Sequence, residues 1–271
     1  MRGASRASLA EAKERLEAAL SAGDPATLGD ELFAVVYLLG REHALRRALS
    51  DPAQPPQQRA QLAAAVLEGR VSPATRDFVA EVVQLRWGSS VDLVNAIQEL
   101  AVIAEAASAE AAGQLDDLED ELFRFGRIVE ANPDLRRVLV DPRAPAEPKA
   151  ELVKTLLEGK TTPPALRLIT EAVTRPRGRT LERELDTFGR IVAERRSRVI
   201  ALVRTAARLT EEQQTRLAAM LSAQYDRDVH LNIEVDPTVL GGISIKIGDE
   251  EIDGTIAHRL AEIRRRIERS S

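Results

Sequence analysis

Three histidines, a run of carboxylates, a glycine pair and two arginine clusters are the residues of this chain whose types and spacing bear on chemistry. His43, His230 and His258 stand far apart, and none falls in the His-x-x-x-His or His-Glu-x-x-His spacing that presents a zinc-binding pair on one helix face. They are expected as exposed structural residues, His230 on the polar face of a strand and His258 on a helix side opposite its apolar stripe. Asp249, Glu250, Glu251 and Asp253 form a cluster of the type that holds a divalent cation, but not at the spacing of an EF-hand loop. Aspartates in turns bond their own backbone, and Asp253 or Thr255 suits a helix cap. Gly241-Gly242 is followed by Ile-Ser-Ile-Lys, not by the Lys-Ser/Thr of a phosphate loop, and it does not open a helix as Gly-x-Gly-x-x-Gly does. Close backbone packing or a bulge is the expectation there. No catalytic, cofactor-binding or metal-binding residue is therefore assigned.

Arg175, Arg177 and Arg179, and then Arg195, Arg196 and Arg198, are basic, but Glu182, Glu184, Asp186 and Glu194 surround them. A solvated bundle end is expected, with contact to an acidic partner surface as the alternative. Arg264–Arg266 is expected on the exposed side of a last helix. Trp87 is the sole tryptophan. It reads as a partly buried cap on the first helical segment in preference to an interface anchor.

The elements that position these groups follow from composition and period. The 271 residues are 44% apolar and 30% charged, enough for two or three domains of a folded protein. With 3% aromatics, the cores must be Leu, Val, Ile and Ala, and stacking platforms for single-stranded nucleic acid are few. A net charge of −5 argues against a non-specific nucleic-acid binder. With no cysteine, disulfides and thiolate chemistry are excluded. No run approaches the ~18 apolar residues of a membrane span, and the N-terminus lacks the apolar core of a signal peptide.

A shift of 90 positions aligns the chain with itself without a gap. Asp30–Phe33 falls on Asp120–Phe123, Leu45–Pro52 on Leu135–Pro142, Leu67–Gly69 on Leu157–Gly159, and Pro73 on Pro163. A period this long marks a duplicated domain. Stripes at helical spacing recur in each copy: Leu28, Leu32, Val35 and Leu39, then Leu93, Ile97 and Leu100; Leu115, Leu118, Leu122 and Phe125, then Leu181, Leu185 and Phe188. Breaks fall at 51–58, 69–73, 141–148 and 159–164, so antiparallel bundles are expected. Residues 91–112, without Pro and rich in Ala, read as one long helix joining the copies. Two related bundles would offer two related grooves.

The tail changes period. Val229, Leu231, Ile233 and Val235 alternate with polar residues, Asp236-Pro237 stops the strand, and Ile243, Ile245 and Ile247 alternate again after the glycine pair. Gly248-Asp249 is a turn, Ile252 a last strand position, and Ile256, Leu260, Ile263 and Ile267 recur at helical spacing. Thr210-Glu-Glu-Gln213 has the form of a capping box, with Leu217, Met220 and Leu221 as the apolar face behind it.

This ordered set resembles the signature of the δ subunit family of bacterial F-type ATP synthases, called the oligomycin-sensitivity-conferring protein in mitochondria. The matching positions are Val235, Asp236, Pro237, Leu240, Gly241, Gly242, Ile243, Gly248, Asp249, Ile252, Asp253 and Gly254, with Thr255 in place of the family's Ser and Glu251 in place of an apolar residue. Upstream, Val203–Ala206 and Leu209–Gln213 resemble the family's strand and helix start, and Leu135–Asp141 and Lys149–Leu157 resemble segments of its helical domain. The Arg- and Ala-rich composition and the extra copy resemble an extended actinobacterial form.

The reading is a mainly α chain: two tandem antiparallel helical bundles, 1–100 as the extra copy and 101–195 as the family-like one, then a small α/β domain over 196–271. The resemblance implies a non-catalytic stator subunit of a proton-translocating synthase, without cofactors. Its implied partners are the N-terminal helices of the α subunits and the C-terminal end of the b subunit. It would sit peripherally at the cytoplasmic face of the cell membrane, held there only through partner subunits. The alternative is a free-standing helical adaptor with a δ-like tail.

Overall fold

The computed structural model describes residues 3–197, 199–225, 229–236, 242–247 and 250–253. The chain divides into two units, Met1–Arg195 and Arg196–Ser271. In the first, the helices are α1 (Ala4–Ala22), α2 (Pro25–Arg41), α3 (His43–Ser50), α4 (Pro56–Leu67), α5 (Pro73–Val82), α6 (Ser90–Ala111), α7 (Leu115–Ala131), α8 (Pro133–Val140), α9 (Ala146–Leu157), α10 (Pro163–Thr174) and α11 (Leu181–Ser197).

Local chemistry sets the helix ends, and the two copies repeat it. Proline opens α5 and α10, where its missing N–H has no partner to lose. The residues before them, Ser72 and Thr162, accept the N–H of Thr75 and Ala165 at 3.3 and 3.4 Å. Each cap in turn donates to a carboxylate of the Asp-Glu-Leu-Phe repeat: the Ser72 hydroxyl to Glu31 at 2.6 Å, the Thr162 hydroxyl to Glu121 at 2.7 Å. After α4 and α9 the chain reverses through Gly69 and Gly159, at φ +68° and +72°, a conformation that glycine adopts without strain.

The predicted stripes are buried, except that Leu115 is only partly so. The long helix expected over 91–112 is α6, and it does more than join the copies. Of its 22 residues, 14 are buried, so its apolar surface extends all round. The 90-residue shift carries α1 onto α6 and α6 onto α11. One helix thus closes the first copy and opens the second, and a single core of buried residues runs from Ala12 to Val192. The position between residues 100 and 101 lies inside that core.

The second unit holds β1 (Val199–Thr205), α12 (Glu211–Tyr225), β2 (Val229–Val235), β3 (Ile243–Ile247) and β4 (Glu250–Asp253). The sheet order is β2-β1-β3-β4, with β1 and β2 parallel and the other pairs antiparallel. The parallel pair requires a crossover, which α12 supplies. Ala201, Val203, Ile245 and Ile247 point to one face, where Leu217 and Leu221 complete a small core. Met220, read from the sequence as part of that apolar face, is 59% exposed. The capping box forms: Thr210 N–H donates to Gln213 Oε1 at 2.9 Å, and Gln213 N–H to Thr210 Oγ1 at 3.3 Å. The segment expected as a last helix, with His258 and Arg264–Arg266, lies outside the described residues.

Candidate interaction site

Thr205 is where the described signature residues meet. It pairs with Val235 on one side and with Ile243 on the other. Asp236 N–H extends the ladder to Thr205 O at 2.9 Å, and Thr205 Oγ1 turns to the carbonyl of Ala207 at 3.0 Å. Gly242, at φ +88°, precedes Ile243 in a backbone conformation that L side chains rarely adopt, which accounts for glycine at that point. Ile252 and Asp253 pair with Ile245 and Ser244. These six signature positions therefore share one end of the sheet and its antiparallel edge. Pro237, Leu240, Gly241, Gly248, Asp249 and Gly254 lie outside the described residues.

The sheet face opposite α12 carries Leu202, Arg204, Glu234, Ser244 and Lys246, which line a shallow depression. Leu202 is 48% exposed there, and Arg204 Nε lies 3.2 Å from Glu234 across the parallel pair. Apolar and charged groups side by side on an open face suit a protein contact better than reaction chemistry.

In the helical unit, some of the charges that the sequence placed at a solvated end are turned inward. Arg195 is buried, its Nε 2.8 Å from Glu110 and its Nη1 2.8 Å from Glu17. Arg177 donates to Gln98 Oε1 at 2.9 Å, while burial lowers its pKa. Arg179 pairs with buried Glu184 at 3.2 Å, and Arg175 lies over the Tyr37 ring at 4.7 Å. The sequence reading is corrected for Arg177 and Arg195, whose partners Gln98, Glu110 and Glu17 lie on α6 and α1, far away in sequence, whereas Arg179 and Arg196 are exposed as expected.

One of these groups sequence reasoning missed altogether. Glu105 has no exposed surface and is held by Arg167 of α10, Nε and Nη2 both donating at 2.7–3.0 Å. Burial pushes its carboxyl up to about 7 against the pull of Arg167. Asp30 of α2 stands 3.5 Å from the same guanidinium. The available signal was a lone carboxylate in the apolar run Ala101–Ala109.

The remaining candidates are structural. Trp87 is buried and donates its indole N–H to Val82 O at 3.0 Å, which leaves the interface-anchor alternative without support. His43 is exposed beside Arg46, and the backbone of His230 lies in β2. Among the described residues no group of three or more His, Cys, Asp or Glu is placed to hold a metal ion. No described helix is long and apolar enough to cross a membrane.

A family model described as "ATP synthase delta (OSCP) subunit" matches residues 101–267, starting inside α6. Proteins named "ATP synthase subunit delta" match along almost the whole chain. That of Thermobifida fusca is 52% identical over 98% of this chain and 99% of its own length. That of Streptomyces griseus is 49% identical over 98% and 99%, and that of Acidothermus cellulolyticus 44% identical over 98% and 99%. The extra first copy is therefore shared with actinobacterial relatives, although it lies outside the family model.

Proposed function

This chain belongs to the ATP synthase delta (OSCP) subunit family, and we propose that within the synthase it is a non-catalytic stator component. It connects the catalytic head to the peripheral stalk and resists the torque of the rotor. Residues 101–195, with the 1–100 copy fused to them, engage the N-terminal helices of the α subunits. Residues 196–271 engage the C-terminal end of the b subunit. The complex sits at the cytoplasmic face of the cell membrane, and this subunit is attached only through its partners. The signature positions shape the end of the sheet and need not touch the stalk themselves.

The observation that carries this reading is the end-to-end relatedness to δ subunits, signature included. It leaves the free-standing adaptor without support. The physics of the helical unit agrees. A connector under torque needs stiffness, and a single core crossed by buried Arg–Glu links supplies it. Amphipathic helices and an open sheet face offer surfaces for partner helices.

Size-exclusion chromatography with light scattering tests the role. The purified chain, the catalytic head and the soluble part of the b subunit are expected to co-migrate as one complex that does not form when the chain is omitted. Failure to bind either partner at low and moderate salt would reject the reading.

A further inference from the structure

The repeat sets two arginines in equivalent places and gives only one of them an anion. The 90-residue shift carries α3 onto α8 and α6 onto α11. In the second copy Arg136 of α8 donates its Nε–H to Glu182, in the first turn of α11, at 2.5 Å. The counterpart of Arg136 is Arg46 of α3, and that of Glu182 is Asp92 in the first turn of α6. Asp92 is one methylene shorter, and its carboxylate accepts the hydroxyl of Ser5 at 2.8 Å. Arg46 Nε is left buried with no hydrogen-bond partner, and its Nη2 meets the His43 ring at 2.8 Å.

Other cations stand around this gap. α3 packs against α6, and the loop after α10 crosses the same helix, where Arg177 donates to Val94 O at 3.4 Å and to Gln98 Oε1 at 2.9 Å. Burial lowers the pKa of Arg177, and the guanidiniums of Arg179 and Arg46 lower it further against the opposing pull of Glu184. Glu184 lies 3.2 Å from Arg179. Arg175 is neutralised by Glu171 at 2.5 Å, and Glu42 lines a separate hollow with Arg41 and Arg70. Among the described residues, Arg46, Arg177 and Arg179 thus share the single carboxylate of Glu184.

We propose that Arg46, Arg177 and Arg179 form a binding site for a phosphate group. The excess of positive charge matches a phosphate dianion, whereas a carboxylate would leave one cation uncompensated. Guanidiniums also offer the planar pairs of N–H donors that phosphate oxygens accept. Arg46 and Arg177 are half-buried and Arg179 is exposed, so the cluster opens to solvent at Arg179. A bound phosphate oxygen takes the place that Glu182 holds in the second copy and satisfies Arg46 Nε. The site joins α3 of the first copy to the α10–α11 loop of the second, so its occupation clamps the two copies together. It goes beyond the connector role and does not depend on it.

Calorimetric titration of the full chain with inorganic phosphate tests the site, and sedimentation with phosphatidic acid vesicles, against phosphatidylcholine vesicles, tests the same group on a lipid. One phosphate is expected per chain. Arg46→Gln is expected to weaken binding about tenfold, the effect of one charge-assisted hydrogen bond. Arg136→Gln, the same change where Glu182 already holds the place, is expected to leave binding unchanged. Without phosphate, Arg46→Gln is expected to melt no lower than the wild type, because it removes an unpaired buried group beside a like charge. Binding of free phosphate that depends on Arg46 identifies a soluble ligand. Binding to phosphatidic acid vesicles alone, with the same dependence, identifies a lipid headgroup, and either supports the site. No binding of either probe, or binding that Arg46→Gln weakens no more than Arg136→Gln does, would overturn the proposal.

Discussion

Arg195, the last residue of the helical unit, reaches Glu17 of α1 across 178 positions of sequence, with Nη1 2.8 Å from Oε1 and Nη2 3.4 Å from Oε2. Its Nε meets Glu110 of α6 at 2.8 Å. One guanidinium thus ties together α1, α6 and α11, the three helices that the 90-residue shift superimposes. The first copy is therefore part of what holds the end of the second.

Removing that side chain leaves two carboxylates, partly screened by solvent, without their cation. Arg195→Met is expected to destabilise the helical unit by about 2 kcal/mol, below the range for a fully buried pair. Adding Glu17→Met is expected to restore part of the loss. Urea unfolding followed by the helical circular dichroism signal measures both. A variant as stable as the wild type would show that the link contributes nothing.

Glu105 makes the stability of the same unit depend on pH. Its folded-state pKa is about 7 against an ordinary 4.5. Below 4.5 it is protonated in both states. Between 4.5 and about 7 only the folded state keeps the proton, so this residue's contribution to stability falls as pH rises, and it is flat above that window. The loss is at most about 3 kcal/mol. Burial also raises Asp30 and Glu171, so the informative quantity is the difference between wild type and Glu105→Gln. Urea midpoints of the two proteins are expected to diverge across the window. Parallel pH profiles would contradict this account.

Gly29 is required by the same contact. A Cβ there would lie 2.6 Å from Glu105 Oε1, so Gly29→Ala must displace the carboxylate from Arg167. A cost of about 1–3 kcal/mol is expected. In a double-mutant cycle it is expected to shrink markedly once Glu105 is alanine. An unchanged cost in the Glu105→Ala background would mean that the strain lies elsewhere.

The duplicated caps are expected to behave alike. Ser72→Ala and Thr162→Ala each remove a hydroxyl that accepts a helix N–H and donates to Glu31 or Glu121, and each is expected to cost about 1 kcal/mol in thermal or urea unfolding. A large cost at one site with none at the other would show that the repeat has kept the motif but not its role.

The features legible in the sequence were those set by neighbours. The Leu28–Leu39 stripe, the breaks at Gly69 and Gly159, the long helix through residues 91–112 and the strand alternation around Val203 and Ile245 all follow from periods or turns of a few residues. The signature was legible because its alternation, turns and glycines are local in sequence, and its six described positions lie at one end of the sheet and its antiparallel edge. The fate of charges and of repeated residues was not legible. Arg177 and Arg195 read as solvated because their partners Gln98 and Glu17 stand 79 and 178 positions away. Phe33 and Phe123 each follow the same Asp-Glu-Leu triplet, and only the assembled helices show that one is covered and the other open.

The central claim is mechanical, and coupling tests it most directly. Membrane vesicles with the synthase depleted of this subunit are supplied with ATP, with and without the purified chain, while ATP hydrolysis and proton uptake are recorded together. The account predicts that hydrolysis continues in both samples and that proton uptake occurs only when the chain is present. Equal proton uptake per ATP without the chain would contradict a stator role.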